Sequence, residues 1–417
     1  MTHKHRMRIL HTSDWHLGQH FIGKSRQAEH QALIDWLLVQ VDVHAVDAVL
    51  IAGDIFDTGS PPSCARELYS QLVVRLHGVG VALLLLGGNH DSVATLGESR
   101  TMLACLNATV VAAVDEAADQ VVVLPLRGAA AEAGCIVCAI PFIRPRDVMQ
   151  SQAGQSAEEK QQSMQTAIQA CYQSVYEAGR TVQLALSKTL GRVVPLIATG
   201  HLTTVGASSN ESVREIYVGS LNAFPTSAFP PVDYIALGHI HQPQKVGGLE
   251  HIRYCGSPIA LGFDEARQQK EVLLVDLVAD GLIAVTALPV PRFQPLMSIS
   301  GSLATLAGTI GVAAREGSLE KPVWLEVTVA EDDYLADLPA RIEAMTQGLP
   351  VEVLRVRRHR GHVTASLMGE ANETLNELSP DDVFARRLAQ EKLAPELLLG
   401  LQKRYRAVVT SLAEGAA

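Results

Sequence analysis

The chain has 417 residues, 47% of them apolar, which is too long for one ordinary domain and enough to bury a sizeable core. Its 34 Lys and Arg against 44 Asp and Glu leave a formal net charge of −10, which excludes a protein that holds nucleic acid by bulk positive charge alone; any DNA contact has to come from local features, metals or a partner. No apolar run reaches the roughly 18 residues of a membrane span, and the basic start MTHKHRMRIL is followed by no hydrophobic signal region, so the expectation is a soluble, cytoplasmic protein.

MRILHTSD predicts a first strand ending at Asp14 and His16; residues 1–6 before it carry no structural weight. In residues 25–46, Leu33, Leu37 and Val41 form a stripe with Ile34 and Leu38 beside it, the period of an amphipathic helix. DAVLIAGD is a second strand, ending at Asp54 with Asp57 beyond it, and Pro61-Pro62 opens a helix over 62–77. VALLLLGGNHD is a third strand, delivering Asn89, His90 and Asp91, and the segment from Val93 to Leu106 carries an apolar face. CIVCAIPF is a further strand; its Cys135 and Cys138 have no second C-x-x-C pair to complete a zinc site and read as buried, inert thiols. A long polar-faced helix over 157–189 precedes VVPLIATGH and DYIALGH, strands that end at His201 and at His239 with His241. These strands are apolar throughout, as in sheets covered on both faces, and their alternation with helices predicts an α/β sandwich.

After about residue 290 the character changes. PVPRFQP is a linker, and a helix (302–315), a strand (VWLEVTVA), a helix (335–347) and a strand (VEVLRVRR) predict a small α+β domain. Residues 379–412 read as one or two helices capped by SPDD. The division expected is 7–288, 289–370 and 371–412.

In open α/β sheets, ligands bind outside the carboxyl ends of the strands. A lone histidine there is more often structural than a ligand, and a lone Asp beside Gly is usually turn chemistry. Five strand ends together, reading D-x-H, G-D-x-x-D, G-N-H-D, G-H and G-H-x-H, argue otherwise. Aspartate, asparagine and imidazole without thiol suit a borderline-to-hard divalent metal, and a glycine before the ligand permits a sharp turn and close substrate approach.

That ordered set resembles the signature of the binuclear metallophosphoesterase superfamily. TSDWHLG, GDIFDTGSPPS, GNHDSVATL, GHLTTVGAS, ALGHIHQP and SPDDVFARRLAQE are similar to the SbcD family of bacterial nuclease subunits, relatives of the double-strand-break repair nuclease. The resemblance implies a metallophosphoesterase-type β-sandwich flanked by helices, with the small α+β domain capping the nuclease site. It implies two Mn²⁺, with Mg²⁺ or another divalent metal also able to serve: Asp14, His16 and His241 on the first, Asn89, His201 and His239 on the second, and Asp54 bridging them. Two cations about 3.5–4 Å apart can hold a hydroxide and stabilise both oxygens of an in-line displacement at a phosphodiester. The resemblance puts His90 over the scissile phosphate, where as an imidazolium it stabilises the developing charge or protonates the leaving oxygen. Asp91 then either accepts the other ring N–H of His90 or stabilises the turn. Where distant relatives carry a second histidine this chain has Asp57, which orients a ligand or caps its loop.

The implied activities are ATP-dependent 3′-5′ exonuclease action on double-stranded DNA and endonuclease action on single strands and hairpins, in replication, recombination and repair. The implied partners are DNA and an SbcC-type SMC-like ATPase, docked by the C-terminal helices through Phe384, Leu388, Leu393, Leu397, Leu398 and Leu401, in an SbcCD heterotetramer associated with the nucleoid. A homodimer would form through the helices near 62–77 (Leu68, Leu72, Val73, Leu76) and 93–106 (Leu96, Met102, Leu103, Leu106), although such stripes usually pack on their own sheet. The cations available for DNA are diffuse: Lys24, Arg26, Arg100, Arg144, Arg146, Lys245, and the cluster Arg355, Arg357, Arg358, His359 and Arg360. Two alternatives stand beside this reading: a phosphodiesterase or phosphatase acting on small nucleotides or phosphoproteins, and a non-catalytic DNA-end-binding scaffold.

Overall fold

The computed structural model describes residues 5–148, 156–208, 223–330, 337–358, Phe384, Leu388 and 395–414. Strand β1 (Met7–Thr12) leads through the ribbon β2 (His20–Phe21) and β3 (Lys24–Ser25) into helix α1 (Gln27–Val43). Then come β4 (Ala48–Ile51), α2 (Ser63–Gly78), β5 (Ala82–Leu86), the short helices α3 (Val93–Gly97) and α4 (Arg100–Ala104), and β6 (Ala108–Val111). The second half of the sandwich is β7 (Val121–Leu126), β8 (Ala129–Cys138), the single turn α5 (Pro145–Val148), α6 (Ala157–Leu190), β9 (Leu196–His201), β10 (Tyr234–Gly238), β11 (Gln244–Lys245) and β12 (Ile252–Tyr254). The hairpin β13 (Glu271–Val278) and β14 (Gly281–Pro289) follows, then β15 (Leu296–Gly301), α7 (Leu303–Ala313), β16 (Val323–Val329), α8 (Leu338–Thr346), β17 (Val351–Arg358) and α9 (Pro395–Glu414).

Two six-stranded sheets face each other. The first has the order β14-β13-β1-β4-β5-β6, with β1, β4, β5 and β6 parallel and β13 antiparallel to β1. The second has the order β11-β12-β10-β9-β8-β7, parallel at its centre with antiparallel edges. Met7, Leu50 and Leu84 of one sheet meet Val137, Ile197 and Ala236 of the other. Helices α1 and α2 cover the outer face of the first sheet, and α6 covers the second through Met164, Ile168 and Tyr172. Strands buried on both faces read as unbroken apolar runs, which is why β4 and β5 are buried at every residue. Cys135 and Cys138 are free, buried thiols, and burial pushes the Cys138 thiol up to about 12.

The helices expected over 25–46, 62–77 and 157–189 are α1, α2 and α6. The segment 93–106 departs from a continuous helix, because the chain breaks at Glu98 and Ser99 between α3 and α4. Leu68, Leu72, Val73, Leu76, Leu96 and Leu103 are buried in the core of their own sheet and Leu106 packs against it, so the stripes named for a dimer are already used. Val74 and Met102, 57% and 61% exposed, are the large apolar side chains that these helices leave open to solvent.

The third sheet is β15-β16-β17, all parallel. One face packs on α7 and α8 through Leu306, Ile310, Leu325, Val327 and Ile342. On the other, Leu296 and Trp324 meet Phe21 of β2 and Phe263 and Ala266 of the segment between β12 and β13. Arg26, bonded to Glu29 and to the Ala260 carbonyl, sits over the rings of both Phe21 and Trp324. In the C-terminal segment the Phe384 ring stacks on Tyr405 of α9, and Leu397 is exposed. Leu393, His359 and Arg360 lie outside the described residues, as does most of SPDDVFARRLAQE.

Candidate metal centre

The polar ends of β1, β4, β5, β9 and β10 meet at one end of the sandwich. Donor atoms of Asp14, His16 and His241 lie within 4.8 Å of one another, and so do those of Asp54, His201 and His239. Asp54 faces both groups: its Oδ2 is 3.2 Å from His201 Nε2 and 3.7 Å from His16 Nε2. Asn89 Oδ1 joins the second group, 2.9 Å from His201 Nε2 and 3.1 Å from His239 Nδ1. All seven side chains are buried.

The backbone bends sharply to bring them there. Asp14, His16 and Asp54 have φ of 54°, 49° and 50°, and His239 has 93°, a region that residues other than glycine rarely enter. Four of the seven residues are thus held in costly conformations by the surrounding packing. Gly53 has φ 95°, and a Cβ there would stand 2.1 Å from His201 Nδ1. At Gly238 a Cβ would stand 2.0 Å from the Ala52 carbonyl oxygen. The glycines before the ligands therefore allow the two sheets to close on each other.

Three of the four histidines have a partner on the other ring nitrogen. His201 Nδ1 donates to the Ala52 carbonyl at 2.8 Å, His241 Nδ1 is 3.0 Å from Glu265 Oε1, and His16 Nδ1 is 3.2 Å from Asp57 Oδ1. Asp57 thus orients a candidate ligand, one of the two roles open to it. Glu265 is fully buried, and its second oxygen meets Lys270 Nζ at 2.6 Å and Ser257 Oγ at 3.1 Å. Lys270 Nζ also donates to the His241 carbonyl. The His241 hydrogen bond and the Lys270 charge hold the Glu265 carboxyl well below its usual range, although burial raises it. Glu265, Lys270 and Ser257 belong to none of the five strand-end motifs, and no spacing in the sequence marks them.

Asp91 departs from the role of partner to His90. Its carboxylate accepts the backbone N–H groups of Gly88, Ile55 and Phe56, tying the Asn89 loop to the Asp54 loop. Three buried amides need an acceptor there, and the carboxylate satisfies all of them. His90 instead donates Nδ1–H to the Asp57 carbonyl at 2.9 Å. Its ring lies 4.6 Å from that of His16, and its backbone N–H donates to Asp54 Oδ1. His90 and Asp57 line two adjoining clefts, of about 870 and 270 Å³. Arg144 is also displaced from an expected place: it is buried, with Nη2 donating to the carbonyls of Gly88 and Asp91, so it braces the loop instead of offering itself to solvent. Of the other cations, Lys24 pairs with Glu352, Lys245 with Glu250, and Arg26 is buried.

The donor set fits divalent metal. Because His201 Nδ1 is committed to a carbonyl, the Nε2 lone pair of the neutral ring faces the oxygens of both Asn89 and Asp54, which only a proton or a cation can reconcile. The proton feels the same field: although burial lowers it, Asp54 raises the His201 pKa to about 9. His239 is pushed down to about 3 by burial and by the neighbouring His201. His16 Nε2 is buried without a hydrogen-bond partner.

Comparison with known proteins gives the family. The profile described as calcineurin-like phosphoesterase matches residues 7–243, more than half of the chain, and one described as Type 5 capsule protein repressor C-terminal domain matches 292–392. Over 407 residues the chain is 50% identical to the SbcD subunit of nuclease SbcCD from Escherichia coli (strain K12), an alignment covering 98% of this chain and 99% of that protein. The chain belongs to the SbcD family. Other SbcD proteins align at 31% identity over 393 residues (Rhodobacter capsulatus, 91% of this chain and 94% of that protein) and at 30% over 276 residues (Bacillus subtilis, 65% and 66%). As a member of the SbcD family within the calcineurin-like phosphoesterases, it is a hydrolase of phosphodiester bonds. All seven candidate ligands and His90 fall inside the phosphoesterase match, and the third sheet falls inside the second match.

Proposed function

We propose that this SbcD-family chain is the manganese-dependent DNA nuclease subunit of an SbcCD-type complex. In this reading it acts as an ATP-dependent 3′-5′ exonuclease on double-stranded ends and as an endonuclease on hairpins and single strands, in replication, recombination and break processing. The observation that carries the reading is the pair of buried donor groups on either side of Asp54, with His90 beside them at the junction of two clefts. Asp14, His16 and His241 would hold one ion, Asn89, His201 and His239 the other, and Asp54 both. When bound, the two ions supply Lewis acidity at the phosphoryl oxygens and a nucleophile of lowered pKa.

The chain's own contribution is orientation, charge and a proton. Asp57, Glu265 and the Ala52 carbonyl fix the ring tautomers of His16, His241 and His201, so that the opposite nitrogens point inward. With Nδ1–H on the Asp57 carbonyl, His90 has Nε2 for substrate. Burial lowers the His90 pKa, partly against the pull of Asp54, and the negative charge of an arriving phosphodiester favours the imidazolium again. As imidazolium, His90 would donate Nε2–H to the leaving oxygen, a role worth about 10²–10⁴-fold in rate.

We assign the nuclease domain to 7–288, the capping domain to 289–370, and the ATPase-binding helices to 371–412. The exposed Val74 and Met102 would sit at a homodimer contact between α2 and α4. No described helix is long and apolar enough to cross a membrane, in keeping with a place at the nucleoid in the cytoplasm.

The test is cleavage of end-labelled hairpin and linear duplex with Mn²⁺, with and without the ATPase, using His90→Asn as control. The variant is expected to retain two metals per chain and lose hydrolysis by about 10²–10⁴-fold. Loss of a metal from His90→Asn would move His90 among the ligands and overturn its role, and turnover of bis-p-nitrophenyl phosphate without any DNA cleavage would favour a small-nucleotide phosphodiesterase.

A further inference from the structure

The third sheet brings two cations to the cleft beside His90. Arg355 and Arg357 of β17 line the 270 Å³ cleft together with His16, His90 and His241. A register break puts them there. Val353 pairs with Leu325 of β16, but the next pairs are Arg355 with Glu326 and Arg357 with Thr328, so Leu354 is an extra residue on β17. Side chains alternate along a strand, and one inserted residue exchanges the faces beyond it. Without this bulge, Arg355 and Arg357 would follow Val351 and Val353 onto the face that packs against α7 and α8. With it, they share the Trp324 side of the sheet, which looks onto the sandwich.

Glu326 then aims them. It is 6% exposed, accepts from Ser298 Oγ at 2.9 Å through Oε2, and places Oε1 2.6 Å from Arg355 Nε and 3.0 Å from Arg357 Nε. Arg355 also lies over the Phe263 ring at 5.4 Å. One carboxylate between two guanidiniums leaves one positive charge on this group, opposite the Asp57 and Asp264 carboxylates of the same cleft, and the arginine side chains remain 37% and 48% exposed. Guanidinium is the side-chain group best matched to phosphate, and its planar fork loses little freedom when already held.

We propose that Arg355 and Arg357, aimed by Glu326, grip the backbone phosphate next to the scissile one, so that the site selects polynucleotide strands over small phosphodiesters. This rests on the nuclease reading above. A small diester fills the space at His90 and ends there; a strand continues along the cleft to the arginines. Glu326 is a positioning residue, and the arginines are specificity determinants.

Two measurements on the full-length chain test the assignment. Without metal, binding of a labelled single-stranded oligonucleotide is followed by fluorescence anisotropy across a salt series. Arg355→Ala/Arg357→Ala is expected to weaken binding at least about tenfold and to flatten the slope of log K against log salt by about 0.7, the value for one phosphate contact on a single strand. With Mn²⁺, the ratio of kcat/KM on the oligonucleotide to kcat/KM on bis-p-nitrophenyl phosphate should fall by a similar factor. An equal loss on both substrates, or none on the oligonucleotide, overturns the clamp. Glu326→Gln should raise KM for the oligonucleotide severalfold even though it adds positive charge; a fall in KM would show that Glu326 only neutralises the arginines, and would overturn its positioning role. If the wild-type chain hydrolyses the small diester but cuts no strand, the nuclease reading fails and the clamp with it. If it cuts strands and the double variant cuts them equally well, the clamp alone fails.

Discussion

The two halves of the metal-directed cluster share Asp54 but rest on different chemistry. Around Asp14, His16 and His241 the supporting groups are charged: Asp57 on His16, Glu265 on His241, and Lys270 behind Glu265. Around Asn89, His201 and His239 they are neutral: a backbone carbonyl on His201 and the Asn89 amide oxygen between the two rings. Both a carboxylate and a carbonyl behind an imidazole fix its tautomer and raise its basicity, and the carboxylate adds a full negative charge to that effect. The contrast predicts that the first half holds its cation more tightly than the second.

The largest effect that would break this contrast is steric. Gly53→Ala places a methyl group 2.1 Å from His201 Nδ1 at a φ of 95°, so it should abolish binding at the second half while leaving the first half titratable. Calorimetric titration with Mn²⁺ should then report one equivalent of metal; two equivalents would mean the loop relaxes and the close packing is not needed. Next in size is Glu265→Gln, which removes the charge behind His241 and keeps a hydrogen-bonding group. Loss of such a partner typically costs 10–100-fold in metal affinity, and the contrast requires that cost to fall on the tighter of two binding events. Equal weakening of both events would show the halves to be one unit.

The smallest effect concerns the loop that carries Asp14 and His16. His30 Nε2 donates to the Trp15 carbonyl at 2.8 Å, its ring is fully buried, and burial with the nearby Arg26 charge pushes its pKa down to about 3. The unfolded chain takes up this proton near pH 6.5 and the folded chain does not, so stability falls as pH drops below about 6.5 and continues to fall toward about 3. Between pH 7 and 5 the loss from His30 should be about 2 kcal/mol. His30→Gln, which can still donate to Trp15, should lessen the difference between urea midpoints at those two pH values; an unchanged difference would place the acid sensitivity elsewhere.

How legible each feature was in the sequence follows from how local its cause is. The strand ends could be read because an apolar run, a glycine and a polar donor are neighbours in the chain. Asp57 could be narrowed to two roles but not to one, since its partner His16 lies on another loop. Asp91 could not be assigned, because two of the amides it serves belong to Ile55 and Phe56, brought alongside only when β4 and β5 pair. Glu265 and Lys270 look like ordinary surface charges, and their burial is decided by tertiary packing. The apolar stripe of α2 announced a helix but not which surface it would cover. Other signals were present and unused: Asp280-Gly281 marks the tight turn of the β13–β14 hairpin, where Val278 pairs with Gly281.

The left-handed backbone at Asp14, His16, Asp54 and His239 has a consequence for the life of the chain before it ever meets substrate. Isolated peptides adopt these conformations only as a small minority, and Asp54 and His239 come from opposite sheets, so the full donor set exists only after the sandwich has closed. Metal uptake is then a report that folding is complete. A cation that binds the native chain and not its precursors draws molecules toward the native state by mass action, in proportion to the logarithm of its free concentration. Scarcity of the ion would thus lower the amount of folded protein as well as the rate of each molecule.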